Sequence, residues 1–170
     1  MSFYESYLQE LDQEAISTRK TLERIPADKF DWAPHATSMK LGALANHIVS
    51  LPGRVQQIFN GDDFDVQSPE AIAMQPPAPA TTKELVDGWD KNLADMRAAL
   101  SAAPEEKLAS KYTLKSGTKT IFSMPRKIVL RAFILNHLIH HRGQLSVYLR
   151  MLEIPVPSIY GSSGDEKFPS

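Results

Sequence analysis

Four stretches of this chain space their apolar residues in alternating steps of three and four, a period that amphipathic helices packed side by side can bury. In the first, Tyr4, Leu8, Leu11, Ala15, Thr18, Leu22 and Ile25 make the seam, and Pro26 stops it because the residue before a proline avoids the helical region. The second is expected to start after Ser38 as N-cap and to end near Gly61, with Leu41, Leu44, Ile48, Leu51, Val55 and Ile58 on its stripe. Pro52 lies inside that pattern and should kink it, freeing the Ile48 carbonyl. The third opens on Thr81 and Glu84 at capping-box spacing, carries Val86, Trp89, Leu93, Met96 and Leu100, and ends before Pro104. The fourth runs from Ser123 and Pro125 to about Leu152 along Leu130, Ile134, His137, His141, Leu145, Tyr148 and Leu152.

Between these lie an aromatic loop (Phe30, Trp32, Pro34), an acidic and then Pro/Ala-rich stretch from Asp62 through Pro76, Pro77 and Pro79, and a hairpin candidate from Tyr112 to Phe122 around Ser116-Gly117. The expected fold is all-α: one domain over residues 1–170, a four-helix bundle with a long crossover after helix 2 and a small β-hairpin before helix 4.

Composition narrows the function. At 170 residues the chain can bury a sizeable core. A formal net charge of -1 with dispersed Lys and Arg offers no basic patch, so no nucleic-acid partner is expected. There is no cysteine, which removes disulfides, thiolate ligands and a cysteine nucleophile together. The N-terminus does not read as a signal peptide and no apolar run spans a bilayer, so a cytoplasmic protein without membrane attachment is expected.

The five histidines carry the chemistry. On a helix His137 and His141 point within roughly 40° of each other, about 6 Å apart along the axis. His47 lies about 60° from the centre of its own stripe and borders the core. A histidine on an apolar face is usually a satisfied core residue. Two of them one turn apart each bury nitrogens that need partners, and a shared metal satisfies both. Three imidazoles from two helices also leave coordination positions open for water or substrate.

The run His137-Leu138-Ile139-His140-His141-Arg142-Gly143-Gln144 resembles the H-x-x-x-H-R-G-Q signature of the DinB/YfiT-like family of metal-binding four-helix bundles. The likeness continues into Tyr148-Leu149-Arg150 and Pro155-Val156-Pro157, and Trp32-Ala33-Pro34-His35 with Leu41-Gly42-Ala43-Leu44-Ala45-Asn46-His47 resembles that family's entry to its second helix. The resemblance implies one divalent transition metal, nickel or zinc foremost and iron or manganese as alternatives, on His47, His137 and His141. It also implies small-molecule chemistry of the kind run by thiol transferases that use mycothiol or bacillithiol, or by a thiol-linked maleylpyruvate isomerase.

His140 lies about 100° from His141 round the helix and is expected on a flank. His35 should sit in an exposed loop, Arg142 should bond structurally, and Gln144 should orient a ligand. Asp62, Asp63 and Asp65 read as a solvated loop. The expected function is metal-dependent transfer of a small thiol to an electrophile, with metal-dependent hydrolysis or a non-catalytic, stress-related metal-binding role as alternatives. No general acid or base, and so no catalytic residue beyond the metal ligands, can be named. A second apolar stripe, Ile128, Ala132, Leu135 and Ile139, points to a homodimer.

Overall fold

The computed structural model describes residues 2–75 and 77–168; Pro76, one of the crossover prolines, lies outside them. Helix α1 (Phe3–Glu23) opens with a capping box, the Ser2 hydroxyl accepting from the Glu5 amide and the Glu5 carboxylate from the Ser2 amide. Helix α2 (Leu41–Gly53) starts later than Ser38 predicts, with Lys40 at the N-cap and no side-chain cap. The aromatic loop replaces the cap. Trp32 and Phe30 carbonyls accept from the amides of Leu41 and Gly42 at 2.8 and 2.9 Å. Only glycine admits that approach, since a Cβ on residue 42 would lie 2.9 Å from Phe30 Cβ.

The second predicted helix is two helices. α2 ends at Gly53 and α3 (Val55–Asn60) follows, because Pro52 has no amide to donate and the Arg54 amide turns back onto the Leu51 and Pro52 carbonyls. The crossover is also more ordered than expected. It contains a strand, β1 (Asp63–Asp65), and a short helix, α4 (Pro69–Ala73). Helix α5 (Thr82–Ala102) then begins at the Thr81 cap, whose hydroxyl accepts from the Glu84 amide.

The predicted hairpin is present as β2 (Lys111–Ser116) and β3 (Lys119–Pro125), turning at Gly117, where φ is +59°. β1 adds to it in parallel, giving a three-stranded sheet ordered β1-β2-β3. The acidic run is therefore only partly solvated loop. Its Asp63-Phe64-Asp65 core is an edge strand whose Phe64 packs on the interior, a three-residue alternation too short to read in advance.

The fourth predicted helix is interrupted. α6 (Arg126–Val129) leads into a π-helical turn over Leu130–Leu135 and then α7 (Asn136–Met151). The buried Tyr7 hydroxyl donates to the Leu130 carbonyl at 3.0 Å, and the Asn136 amide reaches back five residues to Arg131. The wide turn sets Leu130 and Leu135, five apart, both in the core, followed by Leu138, Leu145 and Leu149. This alters two expectations. His137 and His141 flank the buried stripe of α7 instead of centring it. The apolar stripe proposed for a partner is mostly internal: Leu135 is fully buried, Ala132 and Ile139 are partly buried, and only Ile128 is exposed.

The chain is mostly helical, and one apolar cluster joins Leu11 and Leu22 of α1, Leu44 and Ile48 of α2, Trp89 of α5 and Leu138 of α7. α2 packs against both α5 and α7, which brings the midpoint of α2 beside the start of α7. No helix among the described residues is long and apolar enough to cross a membrane.

Candidate metal centre

The packing of α2 on α7 closes a gap of ninety residues in sequence. The ring nitrogens of His47, His137 and His141 lie within 4.8 Å of one another, and all three residues are half-buried. His137 Nε2 is 3.3 Å from His47 Nε2 and 2.8 Å from His141 Nε2, with ring centroids 4.5 to 5.0 Å apart across the three pairs. Metal–imidazole bonds of about 2.0–2.1 Å place the donors of a tetrahedral site roughly 3.3 Å apart. The residues present fit one ion.

Proton placement points the same way. The Gln144 Oε1 oxygen lies 2.7 Å from His141 Nδ1, so that nitrogen carries the proton and Nε2 presents its lone pair. The Phe133 carbonyl is a backbone acceptor for the His137 ring, whose Nε2 already faces the other two histidines. With both Nδ1 atoms on acceptors, the two Nε2 atoms, 2.8 Å apart, would present their lone pairs to a shared divalent cation.

Burial, reinforced by the neighbouring His141, His137 and Arg54, pushes the His47 pKa down to about 4. Burial and the charge of His141 also lower His137, against the Phe133 carbonyl, which favours its protonated form; Arg54 and His140 add smaller repulsions. Both rings are thus held neutral near pH 7, the form in which imidazole ligates a metal.

The other sequence candidates separate cleanly. Arg142 is buried on the far side of α7, its Nη1 2.6 Å from Glu14 Oε2 and donating to the Glu14 carbonyl. His140 is exposed; its ring stands 4.9 Å from that of His141 but does not join the cluster. His35 is exposed and paired with the Thr37 hydroxyl at 2.9 Å. Asp62 accepts from Arg126, a buried arginine that also donates to the Ile58, Gly61 and Lys111 carbonyls. Sequence reading passed over Arg126, although a cation in the first turn of a helix opposes the helix dipole and is a signal that something else holds it. It also passed over Arg54, which lies near the cluster.

Fold and cluster together define a class: helical proteins with a three-histidine cluster that can hold a metal ion. Residues 1–167 match the model of the DinB family, and the chain belongs to that family. It is 26% identical over 160 residues to YrdA, an uncharacterized protein of Bacillus subtilis (strain 168), covering 94% of this chain and 89% of that protein. The crystal structure of a DinB-like protein from Bacillus cereus ATCC 10987 is similar with a TM-score of 0.68 and 27% identity, over 92% of this chain and 97% of that one. A second DinB-like structure, YjoA of Bacillus subtilis, shares the fold with a TM-score of 0.65 at 19% identity, over 88% and 95% of the two chains.

Proposed function

We propose that this protein is a metal-dependent enzyme that holds one divalent ion, nickel or zinc foremost, on His47, His137 and His141 and transfers a small thiol to an electrophilic small molecule. The observation that carries this reading is the convergence of three imidazole nitrogens from two helices on one point, within 4.8 Å, on a side chain cluster that solvent still reaches. When bound, a divalent ion supplies a Lewis-acid centre that favours the thiolate form of a thiol at neutral pH. The chain has no cysteine, so the thiol comes from a cosubstrate.

The protein's own residues do three things. His47 and His137 are kept neutral by burial and mutual repulsion, so no proton must leave before a ligand bond forms. Gln144 and the Phe133 carbonyl orient the His141 and His137 rings. A cleft of about 680 Å³ opens beside His47, lined by Phe30, Asn46, Ser50, Arg54 and Gln75, with room for a small substrate. The arrangement of the long helices around this site is read as a four-helix bundle. A homodimer would use exposed apolar side chains such as Ile128, the one exposed member of the second apolar stripe, with Ile121 and Phe133, exposed by 45%, 50% and 37%. Sedimentation velocity at micromolar concentration distinguishes it from a monomer.

The test begins with elemental analysis of protein purified without a histidine tag, which should find about one transition-metal equivalent per chain. The metal-loaded protein is then mixed with monochlorobimane, with and without bacillithiol, mycothiol, glutathione or coenzyme A. Conjugate that needs both metal and thiol supports the proposal. Thiol-independent turnover identifies a hydrolase, and no turnover on a metal-loaded protein leaves a non-catalytic metal-binding role.

A further inference from the structure

The chain has eight arginines. Seven face a carboxylate, whether on the surface, as Arg19 with Asp90, or buried, as Arg142 with Glu14. Arg54 alone has neither a carboxylate nor a hydrogen-bond acceptor among the described residues. Its position makes that exception informative. Residues 47 and 54 are seven apart, two helical turns, so on the α2 path they lie about 10 Å apart along the axis and within roughly 20° of the same direction. Arg54 is the C-cap of α2, and it shares the wall of one cleft with His47.

Two clefts meet at this point. The larger, which reaches the histidines at His47, and a smaller one of about 290 Å³ under the crossover share Ser50, Arg54 and Gln75 in their walls. The other charged pair of the larger cleft, Asp31 and Lys40, is closed on itself at 2.6 Å. Arg54 is exposed in the cleft wall that it shares with His47, and its charge helps to disfavour a proton on His47 and His137. A cation that lines a cleft beside a candidate metal centre, with no carboxylate partner among the described residues, can take an anionic ligand. The planar fork of an arginine matches a carboxylate with two parallel hydrogen bonds.

We propose that Arg54 is a substrate-binding residue that receives a carboxylate of the small molecule handled at the histidine cluster, so that the substrate class is a carboxylate-bearing thiol or a carboxylate-bearing electrophile. The proposal rests on the metal-thiol reading only for where the reacting end of that molecule sits. The carboxylate belongs on the His47 side of the cleft, a few bonds from the reacting atom, and Ser50 and Gln75 border it.

The experiment uses the cobalt(II)-loaded full chain, titrated by calorimetry and visible spectroscopy with mercaptosuccinate, succinate and 2-mercaptoethanol. Cobalt stoichiometry and circular dichroism are recorded for wild type, Arg54→Gln, Arg54→Lys and Arg54→Ala, so that a variant that misfolds is recognised and the others decide. Wild type should prefer mercaptosuccinate over 2-mercaptoethanol by about tenfold to a hundredfold, the range for charge-assisted hydrogen bonds. Arg54→Gln should lose that preference at unchanged cobalt content and unchanged 2-mercaptoethanol affinity, and Arg54→Lys should keep part of it. Arg54-dependent binding of succinate and mercaptosuccinate without any thiolate-to-cobalt band would uphold Arg54 and sink the thiol reading. If wild type prefers neither these carboxylates nor maleate-type acceptors, or if the preference survives in Arg54→Gln, the assignment of Arg54 is overturned. Preference conferred by substrates whose acid lies on the electrophile, tested with maleate-type acceptors in the same series, places the carboxylate on that partner instead of on the thiol.

Discussion

Two neighbours on α7 behave in opposite ways. Arg142 is 1% exposed and bonded inside the chain: Glu14 neutralises it, Thr18 accepts from it, and the Tyr160 hydroxyl, 2.9 Å from Nη2, passes the network on to Glu14 Oε1. His141, one residue earlier and about 100° round the helix, is satisfied only at Nδ1, while its Nε2 converges with two other rings. The first arrangement ties α7 to α1; the second turns a ring nitrogen towards a point where a ligand can bind. Arg142 and Arg54 differ in the same way, one cation buried against a carboxylate and the other facing a cleft with no carboxylate partner among the described residues.

The contrast predicts a graded set of effects. The largest belongs to the satisfied network. Arg142→Met leaves the Glu14 carboxylate buried and unpaired, and should lower unfolding free energy by about 3–5 kcal/mol in urea titrations. Adding Glu14→Gln to it should recover a substantial part, because the orphaned charge is gone. A loss no larger than that of an exposed pair would mean that the network is not a stabilising one.

Next come the ligands. His137→Ala with His141→Ala should abolish binding of the metal equivalent while far-ultraviolet circular dichroism is unchanged. In a metal concentration about a hundred times the dissociation constant, wild type gains about 2.7 kcal/mol that the double variant does not, read as a metal-dependent shift in melting temperature. Undiminished metal content would remove the cluster as the site.

Gln144→Ala tests the orientation of one ring without removing a ligand. Metal affinity should fall by roughly ten- to a hundredfold in competition with a chelator, the usual effect of deleting an outer partner of a ligating histidine.

The last effect is a pH dependence of the metal-free protein. Folding lowers the His47 pKa from 6.5 to about 4, so between those values the unfolded chain binds a proton that the folded chain does not. Stability contributed by this group is present above pH 6.5 and is lost as pH falls towards 4. The difference between wild type and His47→Gln urea midpoints should therefore change across that window and be flat above it. A difference that changes only above pH 7 would contradict the assignment.

Much of this was legible from local pattern. Thr81 and Glu84 announced their cap, Ser116-Gly117 its turn, and His137 and His141 their common direction, because each depends only on residues a few positions apart. The π turn at Leu130–Leu135 was not, since it follows from the hydroxyl of Tyr7 more than a hundred residues earlier taking the Leu130 carbonyl. β1 was missed for a similar reason. Asp63, Phe64 and Asp65 become a strand only because β2 offers them a free edge. The absent side-chain cap on α2 is replaced by carbonyls of a loop whose path no propensity describes.

The sequence by itself determined the helical period, the places where proline and glycine end it, and a pair of histidines on one face of one helix, all consequences of the 3.6-residue repeat and of backbone sterics. Only the tertiary structure decided that His47 meets that pair, that Arg142 is enclosed, and that Arg54 lines a cleft without a carboxylate partner among the described residues. Those depend on which helix faces which, and a side chain's partner across ninety residues is set by packing, not by spacing along the chain.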